Sequence, residues 1–424
     1  MNTPLLLQYY RNHTEQMLLP FWVRALDHQN GGVYTCFNNA GTRLLNRDKY
    51  TWSQGRFLWV WSKIAAMITG NRLSGQPATF YEHARKTARF LEENAFLDNG
   101  NCAFLLTEKG EKKEPIPGGG YDTSIFADCF IVLGLSEFAG LSNDPERFNR
   151  ALKLYDCIVD RFSAGDFRSE PYPVPEGYRS HSFPMILLNV SQNLADVAKK
   201  LDHSRNEVLL QDSIAYMQDI MENFYQSDHR VVEMLPADPA EKSTLLYRHV
   251  NPGHTIESMW FVMQTARKTG QSDYIHKAVL AIEKAVELGW DRKFGGLLRF
   301  VDINGGKPSG DQRSTPFEDL ITDTWDMKLW WPHSEALYAT LMGYQLSEKK
   351  IMLDLHHRFR AYVFETFPNP DQSIGEWIQI RNRKGEPLDK IAALPVKDPY
   401  HILRNMLLSI ELLEESSKTE TKHN

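Results

Sequence analysis

Apolar residues recur at a three-to-four-residue spacing along almost the whole chain, and this period constrains the fold more than any other feature. It marks out twelve helical stretches, from Leu5–Leu26 at the start to Ile402–Glu414 at the end, mostly 12 to 22 residues long. Gly, Pro and Asp punctuate the connections. Four of those connections carry β-prone residues between glycines and a polar turn, at Gly31–Gly41, Asn101–Gly110, Gly295–Gly305 and Gly375–Gly385. Each is predicted to be a small hairpin, too short to build a core of its own. Helices in alternating succession with hairpins between them predict six helical hairpins closed into a ring, six inner helices within six outer ones. That is an all-α (α/α)6 barrel with short β-hairpins in the loops at one mouth. A solenoid would show a fixed repeat period, and none is visible. Residues 1–415 read as one domain with no internal linker, and the polar stretch 416–424 as a disordered tail. In such a ring the inner helix ends converge on a central cleft, whose loops carry the chemistry.

Composition narrows the partners. The net charge of −6 is spread along the chain without a Lys/Arg-rich run, which argues against nucleic acid. No apolar run approaches the roughly 20 residues of a membrane span, and the first residues lack the basic segment of a signal peptide. Cys36, Cys102, Cys129 and Cys157 are far apart and read as reduced thiols, so a cytoplasmic location is expected. No zinc spacing, phosphate loop or dinucleotide fingerprint is present.

The chemistry-bearing residues fall into a few clusters. Thr324–Glu335 sets Trp330 and Trp331 beside His333 and Glu335, ahead of a helical apolar stripe. Flat rings next to a base and a carboxylate suit a sugar, whose C–H face stacks on indole while its hydroxyls seek hydrogen bonds. In Asn251–Trp260, Asn-Pro-Gly is a turn that starts a helix, so His254 lies in the first turn with Glu257 on its face and Trp260 further on. His401 likewise opens the last helix after Pro399, with Arg404 one turn along. Arg56 stands among Trp52, Trp59 and Trp61, either paired in the core or holding an oxygen-rich ligand. Tyr178–Asn189 is read as lining the cleft, with Asn189 as a substrate contact, and His356-His357 as surface residues.

These blocks, in this order, resemble the N-acylglucosamine 2-epimerase superfamily, which includes renin-binding proteins and cellobiose 2-epimerases. The resemblance rests on Gln54-Gly55-Arg56, Cys102–Thr107, Ile125–Phe130, Pro184–Asn189, Asn251–Glu257, Met327–Ala336 and Tyr400-His401 with Arg404. It implies the (α/α)6 barrel, a monosaccharide substrate, a C2 epimerisation needing no metal or redox cofactor, and a homodimer. The forms Asn-Pro-Gly-His-Thr and Trp-Trp-Pro-His-Ser-Glu resemble the N-acyl branch. Lys390–Pro399 lacks the Gly-Gly-Pro-Phe-Lys-Gly run of vertebrate N-acyl enzymes, which leaves N-acylated hexosamines and free mannose and glucose both open.

The C2 proton of an open-chain aldose is α to the carbonyl, so its removal gives an enediolate. Epimerisation then needs a proton returned to the other face, which suits two histidines. The resemblance assigns these roles to His254 and His401. Arg56 is expected to stabilise the enediolate charge, with Glu257 and Glu335 orienting His254 or binding hydroxyls, Trp331 stacking on the sugar and His333 assisting ring opening. Trp260, Asn189 and Arg404 complete the expected binding set. The rivals are an aldose–ketose isomerase, a cellobiose 2-epimerase, a glycoside hydrolase using Glu257 and Asp326, and a non-catalytic sugar-binding protein.

Overall fold

A computed structural model describes residues 3–423, with side chains described as far as 417. Its inner helices are α3 (Thr51–Thr69), α5 (Ile125–Ser142), α7 (Ser182–Lys200), α10 (Pro252–Thr269), α13 (Trp330–Ser347) and α15 (Tyr400–His423). The outer ones are α1 (Thr3–Asn12) continuing through a π turn into α2 (Leu19–Arg24), then α4 (Pro77–Asn94), α6 (Pro145–Ala164), α8 (Asn206–Asp219), α11 (Ser272–Gly289) and α14 (Lys350–Thr366). Each inner helix packs on the next, and α15 closes the ring against α3. Five inner helices pair with the outer helix that follows them. The sixth pair joins the chain ends, α1 against α15. Two short helices, α9 (Leu245–Arg248) and α12 (Pro316–Thr324), lie in the loops. This is the predicted (α/α)6 barrel.

Patterning explains which helix goes where. The outer helices are amphipathic: α6, for instance, buries Phe148, Ala151, Leu152, Leu154, Tyr155 and Ile158 and turns its charges outward. Asp144 caps it by accepting from the Arg147 N–H, and Gly165 ends it in the left-handed conformation at φ 68°. Inner helices such as α5 are apolar on all sides, as a helix enclosed by others must be. Among the described residues α5 alone is long and apolar enough to cross a membrane, and most of it is buried inside the barrel. The crossing of α3 and α5 depends on Gly55 and Gly134. A Cβ on Gly55 would stand 2.4 Å from the Phe130 backbone, and one on Gly134 2.4 Å from the Gly55 carbonyl. That close approach sets Arg56 against Phe130. Fully buried rings such as Phe57, Phe90 and Phe138 each contribute roughly 1.5–3 kcal/mol of transfer free energy.

Of the four expected hairpins, the one at Asn101–Gly110 forms, pairing Leu105–Leu106 with Lys112–Lys113, but the other three are not independent hairpins. The segment entering an inner helix pairs instead with the segment leaving that helix's outer partner. β1 (Lys49–Tyr50) pairs with β2 (Leu105–Leu106), which also takes β3 (Lys112–Lys113). β4 (Tyr178–Ser180) pairs with β5 (Met234–Pro236), β6 (His249–Val250) with β7 (Val301–Asp302), and β8 (Lys328–Leu329) with β9 (Ile380–Arg381). A single bridge, Ser124 with Ser169, does the same for α5, and the Lys397 N–H donates to the Thr35 carbonyl ahead of α15. All six units are thus clasped at one mouth, where every inner helix begins. Local turn signals were read correctly as turns. Apart from the β2–β3 hairpin, the partners are long-range because a two-residue strand gains more from a ladder fixed by two packed helices than from its own frayed hairpin.

Two further expectations change. The helix α15 runs on to His423, through most of the stretch 416–424 read as a disordered tail, since no Gly or Pro interrupts it. Side chains from 418 onward lie outside the described residues. His356 is buried, hydrogen-bonded to Tyr10 and the Leu337 carbonyl, while only His357 faces outward.

Candidate active site

Because the inner helices all start at one mouth, side chains from their first turns meet in a cavity of about 220 Å³. Pockets for drug-sized ligands span roughly 300–1,000 Å³, so this one suits a single small sugar. Arg56, Asn189, His254, Glu257, Trp331, His401 and Arg404 all line it.

His254 is placed by its helix cap. Asn251 accepts from the His254 N–H at 3.2 Å and Pro252 sets the first turn of α10. Its Nδ1 lies 2.8 Å from Glu233 Oε1. A carboxylate only accepts, so Nδ1 carries the hydrogen and Nε2 is left for the cavity. Burial lowers the pKa of His254, but the adjacent charge of the buried Glu233 overrides this, and the net shift is upward. Glu233 itself is held well below the usual carboxylate range: burial raises it, and His254 and His181 more than reverse that.

His401, the second residue of α15, is built the same way on other residues. Its Nδ1 lies 2.6 Å from Glu335 Oε1, again leaving Nε2 free. Burial pushes its pKa down to about 3, with Glu257 opposing and Arg56 and Arg404 adding to the shift. The two histidines are therefore biased oppositely, His254 toward the imidazolium and His401 toward the neutral base. Nη2 of Arg404 donates to Glu257 Oε1 at 2.5 Å and to Glu335 Oε1 at 2.6 Å. Glu257, Glu335 and His401 bring donor atoms within 4.8 Å of one another, as a metal site would. The cation they surround is the Arg404 guanidinium.

Trp331 stands between the histidines, its ring centroid 5.2 Å from that of His254 and 5.6 Å from that of His401. Gly253 makes room for it, because a Cβ there would lie 2.6 Å from the indole. Arg56 is ion-paired to Asp398, its guanidinium carbon 3.9 Å from the Phe130 ring centroid. It is thus both paired and facing the cavity. Asn189 is 7% exposed and its Oδ1 has no hydrogen-bond partner among the described residues, which leaves an acceptor for a ligand.

Three predicted substrate contacts are corrected. His333 is buried among Phe359, Tyr362 and Phe367, away from the cavity. Its Nδ1–H donates to the Leu329 carbonyl at 2.6 Å and its Nε2 accepts from the Leu297 N–H at 2.8 Å. Burial pushes its pKa down to about 3, so it is a neutral strut rather than a ring-opening acid. Trp260 and Glu335 are also behind the wall: the indole N–H donates to Glu335 Oε2 at 2.7 Å, and both side chains are enclosed. Glu335 orients His401 and not, as one reading had it, His254.

Sequence reasoning missed Glu233, Asp398 and Arg299, which all line the cavity. Glu233 and Arg299 had a signal: each is a lone charge in an apolar strand-like run, Val231-Val-Glu-Met-Leu and Leu297-Leu-Arg-Phe-Val. His181 is fully buried 3.6 Å from Glu233, with neither ring nitrogen hydrogen-bonded among the described residues.

The family model for N-acylglucosamine 2-epimerase (GlcNAc 2-epimerase) matches residues 32–405. The chain belongs to this epimerase family. N-acylglucosamine 2-epimerase of Bos taurus is 29% identical over 412 residues, covering 93% of this chain and 88% of the relative. Cellobiose 2-epimerase of Bacteroides fragilis is 23% identical over 445 residues, covering 97% and 99%. Among solved structures, cellobiose 2-epimerase from Bacillus thermoamylovorans superposes with a TM-score of 0.76 at 20% identity, covering 97% of this chain and 100% of the other. That likeness carries the fold. Family membership makes the chain an isomerase-class enzyme of carbohydrates.

Proposed function

We propose that the protein interconverts C2 epimers of an aldose by deprotonation and reprotonation through an enediolate. N-acyl-D-glucosamine and N-acyl-D-mannosamine come first among candidates, and free D-glucose and D-mannose second. The observation that carries this is a pair of histidines, each fixed by its own carboxylate, facing one sugar-sized cavity with opposite protonation bias. His401 Nε2 takes the C2 proton of the opened sugar, and the His254 imidazolium delivers a proton to the opposite face; the reverse reaction exchanges the roles. Arg56 stabilises charge on the enediolate oxygens, with Asp398 holding its fork in place. Trp331 supports the flat face of the intermediate. The full-length likeness to N-acylglucosamine 2-epimerases supports the N-acyl pair.

The glycoside hydrolase reading loses ground. Asp326 does not line the cavity, and Glu257 is committed to Arg404. The aldose–ketose isomerase shares the enediolate and differs in returning the proton to C1. We also place the protein in the cytoplasm as a homodimer, the first supported by its four free thiols.

Incubation with N-acetylmannosamine, mannose, glucose and cellobiose, followed by NMR, tests the activity. A C2 epimer is expected; a ketose would move the protein to the isomerase reading, and monosaccharides from cellobiose to the hydrolase. The pH profile follows from the two histidines. Catalysis needs one neutral and one protonated imidazole, and the favoured form has His401 neutral and His254 charged. kcat/KM should therefore hold well below pH 6.5, the ordinary histidine value, and fall as pH rises through the raised pKa of His254. Both directions share this limb because their kcat/KM ratio is the equilibrium constant. An acid limb near 6.5 would contradict the assignment.

A further inference from the structure

Three arginines line the cavity, and they are not equivalent. Arg56 is paired with Asp398, and Arg404 with Glu257 and Glu335. Arg299 is 7% exposed, and no carboxylate lies within ion-pairing distance of it among the described residues. Its Nη2 donates to the Ala392 carbonyl at 3.1 Å and to the Tyr172 hydroxyl at 3.3 Å. Its Nη1 is buried with no hydrogen-bond partner among the described residues. The surroundings are apolar: the guanidinium carbon is 5.0 Å from the Phe300 ring centroid, and Phe317 packs edge-on against Tyr172.

A guanidinium keeps its charge in proteins, so it cannot escape burial by losing a proton. A buried cation without a counter-charge is strongly disfavoured unless a ligand supplies one. The low-dielectric ring walls make an anion placed there bind more strongly than it would in water. The planar fork suits carboxylate, phosphate or sulfonate oxygens. Ala392, whose carbonyl Arg299 holds, belongs to a stretch that also sets Ala393, Leu394 and Val396 on the cavity wall.

We infer that Arg299 is a specificity residue that grips an acidic substituent, so that the preferred substrate is an aldose carrying a carboxylate, phosphate or sulfonate group. This rests on the reading that the cavity holds a sugar, and it adds which sugars fit best.

Calorimetric binding of N-acetylmannosamine, mannose, N-acetylmannosamine 6-phosphate, mannose 6-phosphate and mannuronate to the intact protein tests it. At least one acidic aldose should bind tenfold or more tightly than its neutral parent, and which one does so identifies the anion. Arg299→Gln should erase that ratio, and Arg299→Lys should retain part of it. A purely structural clasp on Ala392 and Tyr172 would instead lower the melting temperature and leave the acidic-to-neutral ratio untouched. Equal affinity for acidic and neutral sugars in the wild type, or a ratio that survives Arg299→Gln, overturns the proposal. Proton exchange at C2, followed in the same samples, separates this from the epimerase reading. Exchange without acidic preference sinks only the role of Arg299. Acidic preference without exchange sinks only the epimerisation.

Discussion

His254→Asn and His401→Asn should each lower turnover by at least about 10²–10⁴-fold, the usual worth of one positioned acid or base, and together they should leave no measurable epimerisation. Each imidazole reaches the cavity through Nε2 while Nδ1 is tied to a carboxylate, so asparagine preserves a donor to Glu233 or Glu335 and removes only the proton-transfer atom. The barrel should survive, since neither ring is core packing: the His254 side chain is 26% exposed and that of His401 10%. Sugar binding by calorimetry should change little while kcat collapses, the pattern of an interaction made only in the transition state. Retention of more than about 1% activity by both variants would remove the two-histidine assignment.

Glu335→Gln should be almost as damaging although Glu335 touches no substrate. The single glutamine oxygen can accept from Trp260 Nε1 on one side, or from Arg404 and the His401 Nδ1–H on the other, but not on both sides at once. If the amide nitrogen faces the ring, His401 is driven to the other tautomer, with its hydrogen on Nε2, and the base toward the cavity is lost. A comparable carboxylate-to-amide change behind a catalytic histidine lowers kcat by about 10⁴, and a loss of at least about 10² is expected here. Removing one partner of a buried ion pair costs roughly 3–5 kcal/mol, and Glu257 still neutralises Arg404, so the lower end of that range should appear in a denaturant melt. A variant with normal turnover would mean that His401 does not depend on this carboxylate.

The period of the helices, the ring they close and the mouth at which chemistry gathers were all legible in the sequence, because burial imposes a pattern on every turn of an amphipathic helix. His254, His401 and Trp331 were legible for a related reason: each lies beside a helix-start signal, and in this barrel all inner helix starts meet. Two things were not readable from local spacing. Most partners of the short strands are fixed by helix packing across about fifty to sixty residues of chain, not by the turns beside them. The partner carboxylates are equally remote: His254 and Glu257 share a helix face, yet Glu233 holds His254, while Glu257 serves Arg404 on a helix 147 residues later. His333 misled for the opposite reason. Its neighbours in sequence, Trp330 and Trp331, line the cavity, but the helical turn carries its ring to the back of α13 against Phe367.

The most direct test of the mechanism is the fate of the C2 hydrogen. With the reaction run in D₂O and stopped early, two bases acting on opposite faces must place solvent deuterium at C2 of the product epimer. His401 takes the original proton, and His254, already equilibrated with solvent, supplies the new one. NMR should show an epimer labelled at C2 from its first appearance and no label at C1. A product epimer that keeps its original C2 hydrogen would contradict the two-histidine enediolate mechanism, even with the activity itself established.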